Sequence, residues 1–288
     1  MKLVVVYATL GRAPILKPVL ENLRFQTRLA DLIVVSAVSP EDVIGSESSS
    51  LHPEIIFGPK GLCAQRNHAM NHLVGRSDII IFLDDDFIVA DDYLEEIEKI
   101  FQEYPECVGL TGRVIADGAK SAGFTFEEGV EILAKDKRVS RDKHATAALY
   151  GCNMSIRSAA ADGLAFDERL PAYGWLEDVD FTYRLGKRGL LFNSNRLNGV
   201  HLATKTGRTS GKRFGYSQIA NPMHLLRTGG IPVKLAYQQM LKNICSNVLR
   251  VMWPESYIDR KGRLVGNILG LKDLMTFRLD PEKITSMK

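Results

Sequence analysis

The sequence predicts an α/β protein whose mostly parallel sheet is flanked by helices and is followed by a helical C-terminal extension. Short apolar runs alternate with segments of helical period over residues 3–103. The runs at residues 3–8 and 79–83 are almost wholly apolar, as in strands that are covered on both faces. The extension is predicted because residues 216–276 repeat apolar positions at helical spacing.

The first elements follow one another in a regular order. Residues 3–8 form a strand, and the helix predicted over 13–26 has Pro14 near its first turn, where the missing N–H is harmless. Two further strands are predicted over 32–37 and 54–57. Strand followed by helix, several times over, favours parallel neighbours.

The next elements repeat this order, with a helix over 61–74, a strand over 79–83 and a helix over 91–103. In such sheets, ligands bind beyond the carboxyl ends of the strands. Residues 9–14 contain no GxGxxG, and residues 58–61 do not fit GxxxxGK[ST]. The sequence therefore supports neither a Rossmann dehydrogenase nor a P-loop NTPase.

Length and composition are those of an ordinary globular protein. The chain has 288 residues, 45% of them hydrophobic and 25% charged, with a net charge of +3, which argues against a dedicated nucleic-acid binder. Its four cysteines form no CxxC pair, so neither a zinc ribbon nor a redox motif is predicted. No apolar run is long enough to span a membrane. We expect a cytoplasmic protein, with contact to the inner face of the membrane left open.

Three adjacent carboxylates follow the most apolar strand, at Asp84, Asp85 and Asp86. They repel one another, and a divalent cation would take up the charge. Oxygen ligands of this kind suit Mg²⁺ or Mn²⁺. The alternative is a solvated turn, although a turn needs one Asp rather than three.

A second acidic cluster lies about ninety residues later, at Glu177 and Asp178. Acids in the first turn of a helix are favourable in themselves, so a structural role is the alternative here. Gly174 and Trp175 precede the acids and indicate a shaped pocket wall.

Six motifs in this order resemble a family-2 glycosyltransferase with the GT-A fold over about residues 3–202. They are Val4-Val5-Val6-Tyr7-Ala8-Thr9-Leu10-Gly11-Arg12, Ala64-Gln65-Arg66-Asn67, Phe82-Leu83-Asp84-Asp85-Asp86, Gly151-Cys152-Asn153-Met154-Ser155, Phe166-Asp167-Glu168-Arg169-Leu170 and Glu177-Asp178-Val179-Asp180. The order of the motifs is more specific than any one of them.

The resemblance implies an inverting, metal-dependent transfer of a sugar from a nucleotide-sugar donor to a saccharide or lipid-linked acceptor. It implies that Asp86 holds Mn²⁺ or Mg²⁺ and that Asp178 is the catalytic base. The residues that it places at the donor nucleotide are Ala8, Thr9, Arg12, Arg66, Asp84 and Asp85. One departure matters: the family often has Asp-Asp-Gly-Ser after the second strand, where this chain has Ser36-Ala37-Val38-Ser39. Uracil specificity is therefore not implied.

His201 ends an apolar segment and is predicted as a further metal ligand, as in some GT-A enzymes. A buried core histidine is the alternative. The residues predicted to line the acceptor pocket are Asn153, Tyr173, Trp175 and Glu177, although packing alone would explain the aromatic ones.

Residues 1–204 are expected to form the catalytic domain, with a nucleotide-binding half to about residue 114 and an acceptor half over about 115–204. Residues 205–288 form the extension. The two regions carry net charges of −7 and +10. Lys205 and Arg208 begin the extension and are predicted to contact the diphosphate from a lid, with a solvated linker as the alternative.

The helices of the extension mix apolar and basic residues. They would suit an anionic membrane surface, packing on the catalytic domain, or a homodimer. The sequence thus predicts a glycosyltransferase of polysaccharide or glycolipid assembly. Two alternatives remain open: a sugar-nucleotide nucleotidyltransferase, and a non-catalytic sugar-binding or scaffold protein on the same fold.

Overall fold

The computed structural model describes residues 1–137, 143–204 and 209–287. Their contacts divide the chain into two compact units. The first unit falls within Met1–Lys60, Ala64–Ala165 and Arg184–Gly207. The second falls within Gly61–Cys63, Phe166–Tyr183 and Arg208–Lys288, so a short internal segment clusters with the C-terminal helices.

The first unit is built on a nine-stranded sheet. Its strands are β1 (Leu3–Ala8), β2 (Leu32–Ala37), β3 (Glu54–Phe57), β4 (Ile79–Asp84), β5 (Phe87–Val89), β6 (Cys107–Asp117), β7 (Lys143–Ala145), β8 (Asn153–Arg157) and β9 (Leu190–His201). Their order is β3-β2-β1-β4-β8-β6-β9-β5, and β7 pairs with β9.

The strands from β3 to β4 are parallel, as predicted. Strands β1 and β4 lie in the middle of this part, and their apolar side chains are almost completely buried, which is why they read as continuous apolar runs. Ala8 at the end of β1 is paired with Asp84 at the end of β4. This register brings the residues after both strands to one edge of the sheet.

Beyond β4 the sheet is mixed rather than parallel. Strand β8 runs antiparallel to both β4 and β6, and β9 is parallel to β6 but antiparallel to β5. Because β5 pairs with β9, Phe87 lies opposite His201. The pairing carries His201 to the edge that holds the three carboxylates.

The predicted helices are present, and the structure adds others. The helices are α1 (Ala13–Asn22), α2 (Leu62–His72), α3 (Tyr93–Glu103), α4 (Phe126–Lys135), α5 (Ser158–Ala161), α6 (Glu177–Leu185), α7 (Gly211–Thr228), α8 (Val233–Arg250) and α9 (Arg260–Met275). Of these, α4 and α5 were not predicted. Helix α1 ends four residues before the predicted Gln26. The Gln26 amide instead bonds the carbonyl of Ala90 and the N–H of Leu94, and this tie fixes the turn after the helix.

The second unit is mainly helical. Helix α7 packs against α8 and α9, and the interface contains the buried amides of Gln218, Asn247 and Asn267. Asn247 Nδ2 donates to Gln218 Oε1 at 2.9 Å and to Asn267 Oδ1 at 2.8 Å. Satisfied buried amides fix one packing of helices. Within the described ranges, we found no helix that is both long and apolar enough to cross a membrane.

Candidate active site

The candidate site lies in the first unit, where strands β1, β4 and β9 end. Asp84 is the last residue of β4, and Asp85 and Asp86 follow it in the turn before β5. His201 is the last residue of β9, and the N–H of Leu202 donates to the carbonyl of Asp86 at 2.9 Å. Rigid strands therefore set the distance between the carboxylates and the imidazole.

Asp84, Asp86 and His201 form a cluster in which one ligand atom of each residue lies within 4.8 Å of the others. His201 Nε2 is 3.5 Å from Asp86 Oδ1 and 4.0 Å from Asp84 Oδ2. The Asp86 side chain is only 2% exposed, whereas that of Asp84 is 25% exposed. The cluster thus contains one buried carboxylate, Asp86, and one accessible carboxylate, Asp84.

The other ring nitrogen of His201 is held from behind. His201 Nδ1 lies 2.9 Å from Asp117 Oδ1, at the end of β6. Asp117 also accepts hydrogen bonds from Ala119 N–H and from Tyr150 Oη. A carboxylate on one imidazole nitrogen orients the ring and directs the other nitrogen toward a metal.

Charge at the cluster also favours a cation. Burial lowers the pKa of His201, but the hydrogen bond to Asp117 and the charges of Asp86 and Asp84 raise it to about 10. Burial raises the pKa of Asp84, and the positive charge of Arg66 opposes that shift. The carboxylates of Asp84 and Asp86 are stabilised by positive charge, which either a proton on His201 or a divalent cation would supply.

The donor set fits a divalent metal ion. Asp86 Oδ1 is buried and accepts no hydrogen bond from the residues that the structure describes, and such an atom is costly unless a cation or donor meets it. Two carboxylates with one imidazole match the preference of Mn²⁺ for mixed oxygen and nitrogen ligands.

The second oxygen of Asp86 is fully engaged. Asp86 Oδ2 accepts hydrogen bonds at 3.0 Å from both the N–H and the hydroxyl of Thr204, and at 3.3 Å from Arg12 Nη1. Burial would raise the pKa of Asp86, but the charges of His201 and Arg12 and the hydrogen bonds from Thr204 lower the pKa to about 2. Asp86 is therefore held as an anion.

The Asp85 side chain bonds to residues that follow β1 rather than to His201, and it links the end of β1 to the turn after β4. It accepts from Thr9 Oγ1 at 2.7 Å and from Arg12 Nη1 at 2.8 Å. Burial raises the pKa of Asp85 to about 7, although the charge of Arg12 opposes that shift. Asp85 thus positions Arg12 beside Asp86, while Ala8 contributes the backbone that sets the register.

Arg66 lies almost completely buried beneath Asp84. Its Nη2 donates to Asp84 Oδ1 at 3.2 Å and to the carbonyl of Gly151 at 2.8 Å. A buried guanidinium compensates the negative charge of the turn. The structure therefore brings together the predicted donor and metal residues, which are Ala8, Thr9, Arg12, Arg66, Asp84, Asp85, Asp86 and His201.

Asn153 is placed differently from the prediction. Its side chain is completely buried in the first unit. It accepts from Thr111 Oγ1 at 2.5 Å and donates to the carbonyl of Gly112 at 3.2 Å. Asn153 therefore joins β8 to β6, and this burial leaves no room for direct contact with an acceptor.

The other residues predicted for the acceptor pocket and for the catalytic base lie together in the second unit. Glu177 and Asp178 are the first residues of α6, and Asp178 Oδ1 accepts from the N–H of Val179 at 2.8 Å. The rings of Tyr173 and Trp175 both pack against Phe214 of α7, with centroids 6.2 and 5.9 Å away. Glu177 is buried, whereas Tyr173 is exposed.

The segment before α6 has an unusual backbone. Ala172, Gly174 and Leu176 all have positive φ angles, of 58°, 63° and 74°. Left-handed conformations are costly for residues other than glycine. The segment is held by Asn221 of α7, whose Nδ2 donates to the carbonyl of Trp175 at 2.8 Å.

Sequence reasoning missed Thr204 and Asp117. Asp117 could have been found, because it is a carboxylate at the end of a strand, but strand β6 itself was not predicted. Thr204 had none, since only the fold places it against Asp86. Lys205 and Arg208, predicted as diphosphate contacts, lie outside the described residues.

Residues 4–164 match the family model described as glycosyl transferase family 2. Residues 1–349 of TarS from S. aureus, in complex with UDP-GlcNAc, superpose with a TM-score of 0.58 at 14% identity, covering 99% of this chain and 83% of that chain. The mannosyltransferase PcManGT from Pyrobaculum calidifontis, in complex with GDP-Man and Mn²⁺, gives a TM-score of 0.58 at 14% identity, covering 99% and 85%. At these identities the superpositions show the fold alone, and they confirm the predicted GT-A class. No curated protein matches the sequence.

Proposed function

Because the chain belongs to glycosyl transferase family 2, we propose that it moves a sugar from a nucleotide-sugar donor to a hydroxyl of a saccharide or glycolipid acceptor. We further propose that the transfer requires a divalent cation, inverts the anomeric centre and serves cell-surface polysaccharide or glycolipid synthesis. The observation that carries the proposal is the cluster of Asp84, Asp86 and His201 at the carboxyl ends of two strands.

Asp84, Asp86 and His201 would hold the cation. When bound, Mn²⁺ or Mg²⁺ supplies a Lewis acid for the negative charge that develops on the departing nucleoside diphosphate. The imidazole favours Mn²⁺, because Mg²⁺ prefers oxygen ligands. Asp117 would act through His201 by fixing its ring.

The donor pocket is proposed to lie around Ala8, Thr9, Arg12 and Arg66. Arg12 and Arg66 are already fixed by carboxylates in the structure, so their positive charge is in place before the donor arrives. Asp84 is proposed to face the ribose as well as the cation, because it is the most exposed carboxylate of the cluster.

Asp178 is the proposed general base. The oxygen of the acceptor hydroxyl forms the new bond to the anomeric carbon, and its proton passes to the Asp178 carboxylate. The bond between the anomeric carbon and the diphosphate oxygen breaks, and the diphosphate leaves with the electron pair. Attack from the face opposite the leaving group inverts the centre. A positioned base contributes about 10² to 10⁴-fold to the rate.

Tyr173, Trp175 and Glu177 are proposed to bind the acceptor beside Asp178. Aromatic faces cover the apolar face of a sugar ring while their polar atoms remain available for hydrogen bonds. For the acceptor we propose a lipid-linked saccharide at an anionic membrane surface. A homodimer formed through α8 and α9 is the competing use of the C-terminal helices.

A donor screen tests the proposal. The purified chain is incubated with UDP-, GDP- and dTDP-sugars in the presence of Mn²⁺, Mg²⁺ or a chelator, and release of nucleoside diphosphate is measured. We expect one donor class to be hydrolysed only with a cation, and Asp86→Asn to abolish the reaction. A lack of metal-dependent nucleotide binding in calorimetry would favour a sugar-binding scaffold. Release of pyrophosphate from a nucleoside triphosphate and a sugar phosphate would favour a nucleotidyltransferase.

A further inference from the structure

Helix α8 carries an exposed apolar stripe in the second unit. Val233, Tyr237, Leu241 and Val248 are all exposed. They are spaced by four, four and seven residues, which places them along one side of the helix. The helix has 18 residues and is therefore about 27 Å long. Single exposed apolar residues are ordinary, but a continuous stripe marks an interaction surface.

The stripe continues past the end of the helix. Leu249 in the last turn of α8 is 70% exposed, and Met252 and Trp253, which follow the cap residue Val251, are 72% and 81% exposed. An exposed tryptophan next to leucine and methionine is the composition of a membrane interface, where the indole lies at the level of the lipid headgroups.

The charge along this part of the chain has one sign. Residues 209–254 of the second unit contain six Lys or Arg and no Asp or Glu. Lys234 and Lys242 are exposed on α8 beside the stripe, and Arg250 ends the helix. Such a surface attracts anionic partners, and each basic residue near an anionic bilayer strengthens binding about 5-fold.

A neighbouring side of α8 is fixed by packing. Ala236, Met240 and Asn247 are buried, and Asn247 is bonded to both α7 and α9. Rotating the helix to bury the stripe would break these bonds and leave buried amides without partners, which is costly. The stripe therefore stays exposed.

We propose that α8 and residues 251–253 form a docking surface for an anionic phospholipid bilayer, with the helix lying in the plane of the headgroups. Apolar side chains would enter the acyl region, and Lys234 and Lys242 would meet lipid phosphates. An open groove of about 460 Å³ on this surface is lined by Leu235, Gln238, Gln239, Leu241, Lys242 and Cys245.

Charge favours the bilayer over a second copy of the chain. In a two-fold contact each copy presents the same surface, so the cations of one α8 would face those of the other. Like charges brought together in this way oppose association. An anionic bilayer, by contrast, is complementary to both the charge and the apolar stripe.

The proposal deepens the proposed function by naming the surface where a lipid-linked acceptor would be met. The experiment uses the full chain and measures its sedimentation with vesicles of phosphatidylcholine, with and without phosphatidylglycerol. We expect binding to the anionic vesicles alone, weakened by salt. Lys234→Gln together with Lys242→Gln should weaken it about 25-fold. Leu241→Gln together with Trp253→Gln should weaken it tenfold or more, by about the loss of two apolar contacts.

The matched control is Lys2→Gln with Lys17→Gln, which removes the same charge from exposed lysines of the first unit and should leave vesicle binding unchanged. Equal binding to neutral vesicles, or none to anionic ones, would overturn the proposal. A dimer in lipid-free solution that the α8 variants dissociate would assign the surface to a second copy instead. Metal-dependent nucleotide binding is measured in parallel. If the full chain binds anionic vesicles but shows no metal-dependent nucleotide binding, the proposed transfer is contradicted and the docking surface is still supported.

Discussion

The acidic cluster of the first unit and the segment before α6 in the second unit are held in different ways. Asp85 and Asp86 accept side-chain hydrogen bonds from Thr9 and Thr204, and His201 is bonded through Nδ1 to Asp117 Oδ1, all at the ends of rigid strands. The segment over residues 172–176 instead has three positive φ angles, and its carbonyls at Ala172 and Trp175 accept hydrogen bonds from the Leu62 N–H and from Asn221 Nδ2.

The difference indicates that the two regions have different roles. A cluster in which charged groups are oriented before a ligand arrives can stabilise charge without reorganising. A segment held in a costly backbone conformation instead aims the residues that follow it, here Glu177 and Asp178. Variants of the first region should therefore change metal and donor binding. Variants of the second should change the rate of transfer.

The largest expected effect is that of Asp178→Asn. The substitution removes the proton acceptor but keeps the size of the side chain, so transfer should fall about 10² to 10⁴-fold while folding and donor binding are kept. Steady-state transfer and nucleotide calorimetry check this. Asp162→Asn, at an exposed acid, is the matched control. Wild-type turnover in Asp178→Asn would remove the assignment of the base.

His201→Ala changes the acidic cluster of the first unit and should weaken metal binding. Loss of the imidazole should weaken Mn²⁺ binding about 100-fold, since even partners of a metal ligand contribute 10- to 100-fold. Calorimetry with Mn²⁺ in the presence of nucleotide measures it. His144→Ala removes an exposed histidine of β7 and should have no effect. Unchanged metal affinity in His201→Ala would return this residue to a purely structural role.

Asp117→Asn should have a smaller effect of the same kind. The amide still accepts a hydrogen bond from His201 Nδ1 but lacks the charge that steadies the ring, so Mn²⁺ affinity should fall about tenfold. The proposed base lies elsewhere, so kcat at saturating Mn²⁺ should recover. A fall in kcat that added Mn²⁺ does not reverse would contradict a role through His201.

The sequence predicted the first region better than the second, for physical reasons. Strands β1 and β4 are buried on both faces, so they read as apolar runs, and the carboxylates at the end of β4 stand out. His201 was predicted beside the carboxylates only through the resemblance, because the apolar pattern does not show that β5 pairs with β9. Thr204 depends on the same pairing.

Nothing in the sequence signals the backbone of the second region. Ala172 and Leu176 have no bias toward positive φ, so only Gly174 could have been suspected. The antiparallel β8 was likewise not predicted, because the completely buried Asn153 reads as a polar site residue although it joins two strands.

Gly174→Ala tests whether that backbone matters. A Cβ at Gly174 would lie 3.0 Å from Cys63 Sγ and 3.1 Å from Glu177 Cγ, at a φ of +63°. The free energy of unfolding should fall by about 1–2 kcal/mol, and kcat should fall because Glu177 directly precedes the proposed base Asp178. Denaturant unfolding and transfer kinetics at saturating Mn²⁺ measure the two effects. An unchanged kcat would show that the backbone of residues 172–176 does not position Asp178.

Ala172→Gly should have the smallest effect and the opposite sign. Ala172 is exposed with a φ of 58°, so glycine removes about 1 kcal/mol or more of strain. Its greater freedom in the unfolded chain costs about 0.5–1 kcal/mol, which leaves a gain in unfolding free energy of roughly 0.5 kcal/mol. Ala134→Gly, at an exposed position of α4, has the same unfolded-state cost and no strain to relieve, so it should destabilise. If both variants destabilise equally, the segment before α6 is not held in the left-handed conformation, and the contrast between the two regions fails.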